Sequence, residues 1–151
     1  MKSLFLKVSN ISGESHDANH KGWIDVISYH WGAQRFSAGA STPHYRNLSA
    51  HAHIDKAMPA MFLYVSNGNK VDSVQLSACK AGGSAIEYYR ITLESAFIAE
   101  VLLHDEGDFE SIEYVFEAEK VKIQYWEQNS LGGKAAESRS GWDIKNHRSA
   151  F

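Results

Sequence analysis

The sequence predicts a mainly β protein: an antiparallel β-barrel or sandwich with one short flanking α-helix, built as a single domain over residues 1–151. Apolar and polar residues alternate in several segments, as they do in strands with one buried face. Turn-forming residues separate these segments, and only one segment has apolar residues at helical spacing. A chain of 151 residues can bury a core of its own without disulfides or a structural metal.

Three strands are predicted before the helix. Each alternates apolar and polar residues or is rich in aromatic and β-branched residues, and each is bounded by polar or glycine-containing segments. The predicted strands are residues 4–8, 23–31 and 48–54, and the loops between them are residues 10–22 and 36–47. The second loop has no periodicity, and long loops of this kind in small domains are commonly functional.

The helix is predicted to begin at Asp55 and to end at the sequence Ser-Asn-Gly of residues 66–68. Aspartate is a favourable N-cap residue, and a proline follows in the first turn, where its missing N–H costs little. Met58, Met61 and Phe62 follow at helical spacing, so we expect them to form the buried face of this helix.

Long strands joined by tight turns are predicted in the second half. The predicted strands are residues 73–80, 85–104, 109–127 and 142–146; the predicted turns and loop are residues 80–83, 105–108 and 129–141. Within the third strand the apolar residues change from even to odd positions near Glu119. Such a change of phase indicates a bulge or bend, which helps a sheet to close into a barrel.

Composition argues against several classes of function. The 15 basic and 18 acidic residues are mixed along the chain, without the basic cluster that nucleic-acid binding usually requires. No segment has the apolar length of a membrane span or of a signal peptide. Cys79 is the only cysteine, so the fold needs no oxidising compartment. We expect assembly in the cytoplasm, export without a cleaved signal peptide, and neither nucleic acid nor membrane insertion among the interactions.

Few residues are candidates for chemistry. His44, His51 and His53 could together hold a catalytic metal ion, so a small metal-dependent enzyme is one alternative function. His16 and His20 have the spacing of a metal pair on a helix, but they lie in a predicted loop. No catalytic pattern stands out, and we expect a protein that is not an enzyme and has no cofactor or metal. A monomeric carbohydrate-binding β-sandwich is a second alternative, suggested by the many aromatic residues.

Four stretches follow one another in the order of a known family's motifs. The first contains Gly13, Glu14, Ser15, Asp17, His20, Lys21, Gly22, Asp25, Trp31 and Gly32. The others fall within residues 54–68, 80–93 and 141–144. Together they resemble the haemolysin-coregulated protein (Hcp) family, the tube component of type VI secretion, over nearly the whole chain.

The resemblance implies a fold similar to phage tail-tube proteins, and homohexameric rings that stack into a tube. A contractile sheath surrounds such a tube, a spike trimer caps it, and effector proteins are carried in its lumen. We expect function at the edges, end loops and lumen face of the barrel. The candidate ring-stacking loop is Ser37, Ala38, Gly39, Ala40, Ser41, Thr42, Pro43, His44, Tyr45, Arg46 and Asn47, and the candidate lumen and effector contact is His30.

Overall fold

The computed structural model describes residues 2–39, 42–80, 86–131 and 133–151. These ranges contain ten strands and one helix: β1 (Lys2–Val8), β2 (Ile24–His30), β3 (Ala33–Gln34), β4 (His44–Tyr45), β5 (Leu48–Ala52), α1 (Met58–Asn67), β6 (Lys70–Lys80), β7 (Ile86–Asp105), β8 (Glu110–Gln128), β9 (Lys134–Asp143) and β10 (Arg148–Ser149). Among the described residues, no helix is long and apolar enough to cross a bilayer.

Six strands close into an antiparallel barrel. Their order is β8–β5–β2–β1–β6–β7, and β7 pairs again with β8 to complete the circle. β9 and β10 extend the sheet from the second half of β8, beyond the part of β8 that pairs with β5. The predicted mainly β barrel with one helix is therefore confirmed.

Apolar side chains from alternate strand positions fill the barrel. Leu6, Val74, Leu76, Tyr114 and Phe116 have no exposed surface. Burial of a large apolar side chain contributes roughly 1.5–3 kcal/mol, so this interior supplies most of the stabilisation of the fold. The alternation of the sequence is the direct cause, because side chains two residues apart lie on the same face of a strand.

Helix α1 has its N-cap at Ala57, and not at the predicted Asp55. The Asp55 carboxylate instead accepts hydrogen bonds from the backbone N–H groups of Ala57 (2.9 Å) and Glu14 (3.1 Å). It therefore ties the start of the helix to the loop before β2. Met61 is fully buried as predicted, but Phe62 is 37% exposed, so the predicted buried face is wrong at Phe62.

The predicted change of phase near Glu119 is found on both strands of the β7–β8 hairpin. The buried positions change parity on β7 after Leu93 and on β8 after Phe116. Ser95 lies opposite Glu119 and has a φ of 50°, a left-handed value that is uncommon for a residue other than glycine. The register is continuous here, so both strands bend together, and beyond the bend β8 pairs with β9.

Two segments predicted as loops contain strands. The prediction of a loop over residues 129–141 is wrong, because β9 begins at Lys134 and pairs with β8 as far as Asp143. The predicted loop over residues 36–47 contains β4, which pairs with β3 in a two-stranded sheet. Most of the turn predicted at residues 80–83 lies outside the described residues.

Candidate functional site

Four neighbouring strand segments form a sheet with two free edges. They are residues 27–30 of β2, 48–52 of β5, 110–116 of β8 and 98–105 of β7, which we call the edge sheet. β1 pairs with β2 only as far as Val26, and β6 pairs with β7 only as far as Phe97. Within the described strand pairings, residues 27–30 and 98–105 therefore have a neighbour on one side only.

One face of the edge sheet packs on the barrel core and the other points outward. The core-facing row of paired residues is Tyr29, Ala50, Tyr114 and Val101. Two rows point outward. One is His30, Ser49, Val115 and Glu100, and the other is Ser28, His51, Glu113 and Leu102. His30, the candidate lumen contact, is exposed on this outward face.

A carboxylate between two histidines lies on the outward face. Glu113 accepts a hydrogen bond from the Ser49 hydroxyl, and Nε2 of His51 and Nε2 of His104 lie 3.9 Å and 3.7 Å from its oxygens. The Ser49 hydrogen bond, helped by the two imidazoles, lowers the pKa of the Glu113 carboxyl. The outward face is thus polar and charged, unlike a surface built to be buried in a core.

The candidate stacking loop lies at one end of the edge sheet and is partly ordered by β3 and β4. The Arg46 N–H donates to the Gly32 carbonyl at 2.9 Å, and the rings of Trp31 and Tyr45 lie 6.0 Å apart. Beside this loop is a cavity of about 350 Å³. Ala40 and Ser41 lie outside the described residues.

The first motif stretch contributes a buried polar cluster around His20. The imidazole is 3% exposed, stacks on Phe5 at 4.2 Å and meets Trp23 edge-on at 4.8 Å. Its Nδ1 lies 2.7 Å from Asp17 Oδ2, and its Nε2 lies 2.9 Å from Ser77 Oγ. His20 therefore joins the loop before β2 to β6.

Ser77 connects this cluster to a second carboxylate. Its hydroxyl donates to Glu87 at 2.7 Å, and Glu87 also accepts from Arg90 (2.7 Å and 3.2 Å) and Lys134 (3.0 Å). Burial alone would raise the pKa of the Glu87 carboxyl, but the hydrogen bonds from Ser77, Arg90 and Lys134 outweigh burial and lower it.

The order Asp17, His20, Ser77 has the connectivity of a hydrolase triad, but not its chemistry. A nucleophilic serine must give its proton to the histidine and must reach a substrate. Ser77 donates its proton to Glu87 and has no exposed surface. This cluster is therefore structural. The sequence motifs include Glu87 but not Ser77, and nothing local to either residue predicts that they join the His20 cluster.

Other motif residues shape the same loop. A Cβ at Gly13 would lie 2.5 Å from the Trp23 carbonyl oxygen, and Gly22 has a φ of 81°. Glu14 accepts a hydrogen bond from the backbone N–H of Lys56 at 2.7 Å. These positions fix the loop over residues 10–22 against the barrel.

The alternative metal site is not assembled. Among the described residues, no three His, Cys, Asp or Glu side chains are arranged to hold a metal ion. His44 lies on β4 beside the cavity, whereas His51 lies beside Glu113 on the outward face. His53 is exposed, and its backbone N–H donates to the backbone carbonyl of Asp25 at 3.1 Å. The hypothesis of a metal site built from these three histidines is therefore wrong.

Comparison with known proteins identifies the family. A family model described as type VI secretion system effector, Hcp, matches residues 5–128. The chain belongs to the Hcp family. It is 27% identical to Protein hcp1 of Pseudomonas aeruginosa over 155 residues, which cover 95% of this chain and 96% of that protein.

Solved Hcp structures have the same fold. The crystal structure of Hcp1 from Salmonella typhimurium superposes with a TM-score of 0.83 at 27% identity, covering 99% of both chains. A type VI secretion system effector from Yersinia pestis gives a TM-score of 0.79 at 27% identity, covering 93% of this chain and 99% of that one. The resemblance seen in the sequence motifs is therefore confirmed, and the chain is a tube-type, secreted Hcp protein of type VI secretion.

Proposed function

We propose that the chain is a structural, non-catalytic tube subunit that forms homohexameric rings, which stack into a tube inside a contractile sheath. The subunit assembles in the cytoplasm, meets a spike trimer at the tip, and leaves the cell with the expelled tube. It carries or chaperones effector proteins in the lumen. The observation that supports this most strongly is the pair of free edges on the edge sheet. Exposed edges are templates for pairing with another chain, and monomeric proteins usually protect them.

The two edges suit a closed ring because they are different from each other and run in opposite directions. The four strands alternate in direction, so the β7 edge of one subunit can pair antiparallel with the β2 edge of the next. Such a contact is heterologous, because it joins two different surfaces. Repeated contacts close into a ring when the rotation between neighbouring subunits brings the last subunit back to the first. Exposed apolar side chains accompany both edges: Ile27 is 40% exposed, Leu102 is 42% exposed and Leu103 is 46% exposed.

A ring joined in this way turns the outward face toward the lumen. Six copies would contribute about 24 strands, which at roughly 4.8 Å spacing give a circumference of about 115 Å and a radius of about 18 Å. Six barrel bodies do not fit inside such a circle, so they lie outside it. The lumen wall would then carry His30, Ser49, His51 and Glu113, and its polar character suits the passage of folded proteins.

An edge variant tests the ring. Ile27→Lys places a charge on the β2 edge, and Leu131→Lys makes the same kind of change at a residue that is 94% exposed in the β8–β9 turn. Native mass spectrometry and negative-stain imaging should show six-fold rings for the parent and for Leu131→Lys, and monomers for Ile27→Lys. Circular dichroism should show all three folded. A monomeric parent would favour the carbohydrate-binding module, and intact rings in Ile27→Lys would contradict the assignment of the edge.

A second pair of variants tests the lumen contact. His30→Gln and His30→Asp change a side chain on the outward face of the β2 edge strand, so native mass spectrometry should first show that both variants form rings as the parent does. Effector proteins produced in the same cells should be retained less by rings of these variants than by parent rings in a pull-down. Equal retention by both variants would exclude His30 as an effector contact.

A further inference from the structure

The edge sheet carries no fixed positive charge. None of the 15 lysines and arginines of the chain falls within its residues, which are 27–30, 48–52, 98–105 and 110–116. The same residues hold four carboxylates and three histidines. Because an unprotonated histidine is neutral, this sheet is anionic at neutral pH. A surface with one sign of charge attracts ligands of the opposite sign and repels those of the same sign.

The outward carboxylate and its two histidines form one compact group on three neighbouring strands. Glu113 on β8 lies between His51 on β5 and His104 on β7, whose Nε2 atoms are 3.9 Å and 3.7 Å from its oxygens. The two imidazole rings lie 6.1 Å apart, with their planes 29° from parallel. The side chains are 21% exposed at Glu113, 32% at His51 and 44% at His104. The group is therefore held in place by its neighbours and is still accessible from the outward side.

A cavity of about 270 Å³ lies beside this group. Its lining is His51, His104, Glu106, Phe109 and Ser111. Drug-sized ligands occupy cavities of about 300–1,000 Å³, so this smaller cavity suits a single side chain of a protein partner. Phe109 is 56% exposed and offers an aromatic ring, and Glu106 adds a second carboxylate to that of Glu113. A guanidinium stacks on such rings and makes paired hydrogen bonds with a carboxylate, so an arginine side chain matches this lining.

We propose that this cavity binds an arginine side chain of an effector protein at neutral pH, and that protonation of His51 and His104 below about pH 6 releases it. The inference rests on the proposed function, in which the outward face lines the lumen. It adds the chemistry of the cargo, which is a surface rich in arginine, and a condition for the release of that cargo. Each ring repeats the cavity once per subunit, so individually weak contacts act together on one effector.

The charges around Glu113 determine the direction of the pH effect. On the same face around it, the described charged and titratable side chains are His30, His51, Glu100, His104 and Glu106. The Ser49 hydrogen bond lowers the pKa of the Glu113 carboxyl, so this carboxyl stays charged at about pH 5.5. A histidine gains a positive charge as the pH falls through the range in which imidazoles titrate. The two neighbouring histidines then pair with the carboxylate themselves and repel a cationic ligand.

Peptide binding tests the cavity. The probes are a fluorescent peptide of alternating arginine and glycine, and its counterpart with glutamate in place of arginine. Fluorescence anisotropy measures the affinity of each peptide for the purified full chain. The arginine peptide should bind the parent at about pH 7.5 and at least about fivefold more weakly at about pH 5.5, because arginine keeps its charge and histidine gains one. The glutamate peptide should bind at least about fivefold more weakly than the arginine peptide at about pH 7.5.

Three variants identify the groups that act. Glu113→Gln should bind the arginine peptide at least about fivefold more weakly than the parent does at about pH 7.5. His51→Asn with His104→Asn should bind this peptide equally at both pH values, because no imidazole is left beside the carboxylate. Glu127→Gln is the matched control: it removes a carboxylate at the far end of β8 and should bind as the parent does. Circular dichroism should show all three variants folded.

Several results would overturn the inference. The parent can bind the arginine peptide equally at both pH values, or bind the glutamate peptide as tightly as the arginine peptide. The double histidine variant can keep the pH dependence, or Glu113→Gln can bind as the parent does. Native mass spectrometry of the same samples tests the ring separately, and a parent without rings contradicts the proposed function and the lumen as the place of binding. The peptide measurement tests the cavity itself in a monomer or a ring, because the cavity lies within one subunit.

Discussion

Replacing Ser77 by alanine should destabilise the protein strongly, although it removes a single oxygen atom. That oxygen has no exposed surface and lies 2.9 Å from His20 Nε2 and 2.7 Å from Glu87 Oε2. Alanine leaves the buried imidazole Nε2 with only the Cys79 thiol, at 3.8 Å, as a partner, and it removes one donor from the carboxylate.

The magnitude follows from the two hydrogen bonds. A hydrogen bond to a charged group contributes about 1.5–3 kcal/mol. The two losses are not additive, since they share one oxygen and Glu87 keeps Arg90 and Lys134 as donors. We therefore expect a loss of about 2–4 kcal/mol in the free energy of unfolding. In a chain of this length that corresponds to a fall in Tm of roughly 5–15 °C.

Chemical denaturation followed by circular dichroism measures the effect. The comparison is best made in the Ile27→Lys background, because ring formation would make the apparent stability depend on concentration. Ser138→Ala is the matched control, since Ser138 is exposed on β9 and its loss should change stability by less than about 0.5 kcal/mol. If Ser77→Ala unfolds at the same denaturant concentration as that control, the buried cluster does not stabilise the fold.

Three further predictions concern stability. The pKa of Glu87 is lowered in the folded state, so its carboxylate stabilises the fold above its unfolded pKa of about 4.3. This stabilisation is lost as the pH falls through the folded pKa. Glu87→Gln should therefore make Tm decline less steeply below about pH 5, and an unchanged decline would contradict this. Gly13→Ala should lower the free energy of unfolding by about 1–3 kcal/mol through overpacking. Gly32→Ala is the control and should be nearly neutral, because its Cβ would meet no atom within 4 Å. Equal changes of Tm in the two variants would contradict overpacking at Gly13. The buried Tyr114 hydroxyl has no hydrogen-bond partner among the described residues, so Tyr114→Phe should leave the Tm unchanged or raise it, and a loss above about 1 kcal/mol would show an undetected partner.

Much of the barrel could be predicted because its strands have one buried face. The alternation in β1, β5 and β8, and the change of phase near Glu119, are local properties of the sequence. β9 could not be predicted, because it lies beyond the closed barrel and its first seven residues are exposed on both faces, so they show no alternation of apolar and polar side chains. β3 and β4 are two residues each, which is too short for any periodicity.

The candidate site was harder to predict, because it depends on the residues at which neighbouring strands stop pairing with each other. His30 and the stacking loop follow from the sequence as candidates. The free edges, however, arise because β1 ends its pairing with β2 at Val26 and β6 ends its pairing with β7 at Phe97. Such a boundary between distant segments leaves no local signal. Likewise, nothing local to Glu87 predicts that the pairing of β6 with β7 brings it to Ser77.

The composition of the free edges favours a ring subunit over a monomeric binding module. Monomeric β proteins protect an edge with lysine or proline, with a bulge, with a covering helix or loop, or by full closure of the barrel. Both edges do carry a bulge, between Val26 and Ser28 on β2 and between Ile98 and Glu100 on β7. Neither residues 27–30 nor residues 98–105 contain a lysine or a proline, and they expose Ile27 and Leu102 instead. In a monomer both edges would stay exposed to pairing with other chains, whereas a ring covers both edges in one repeated contact.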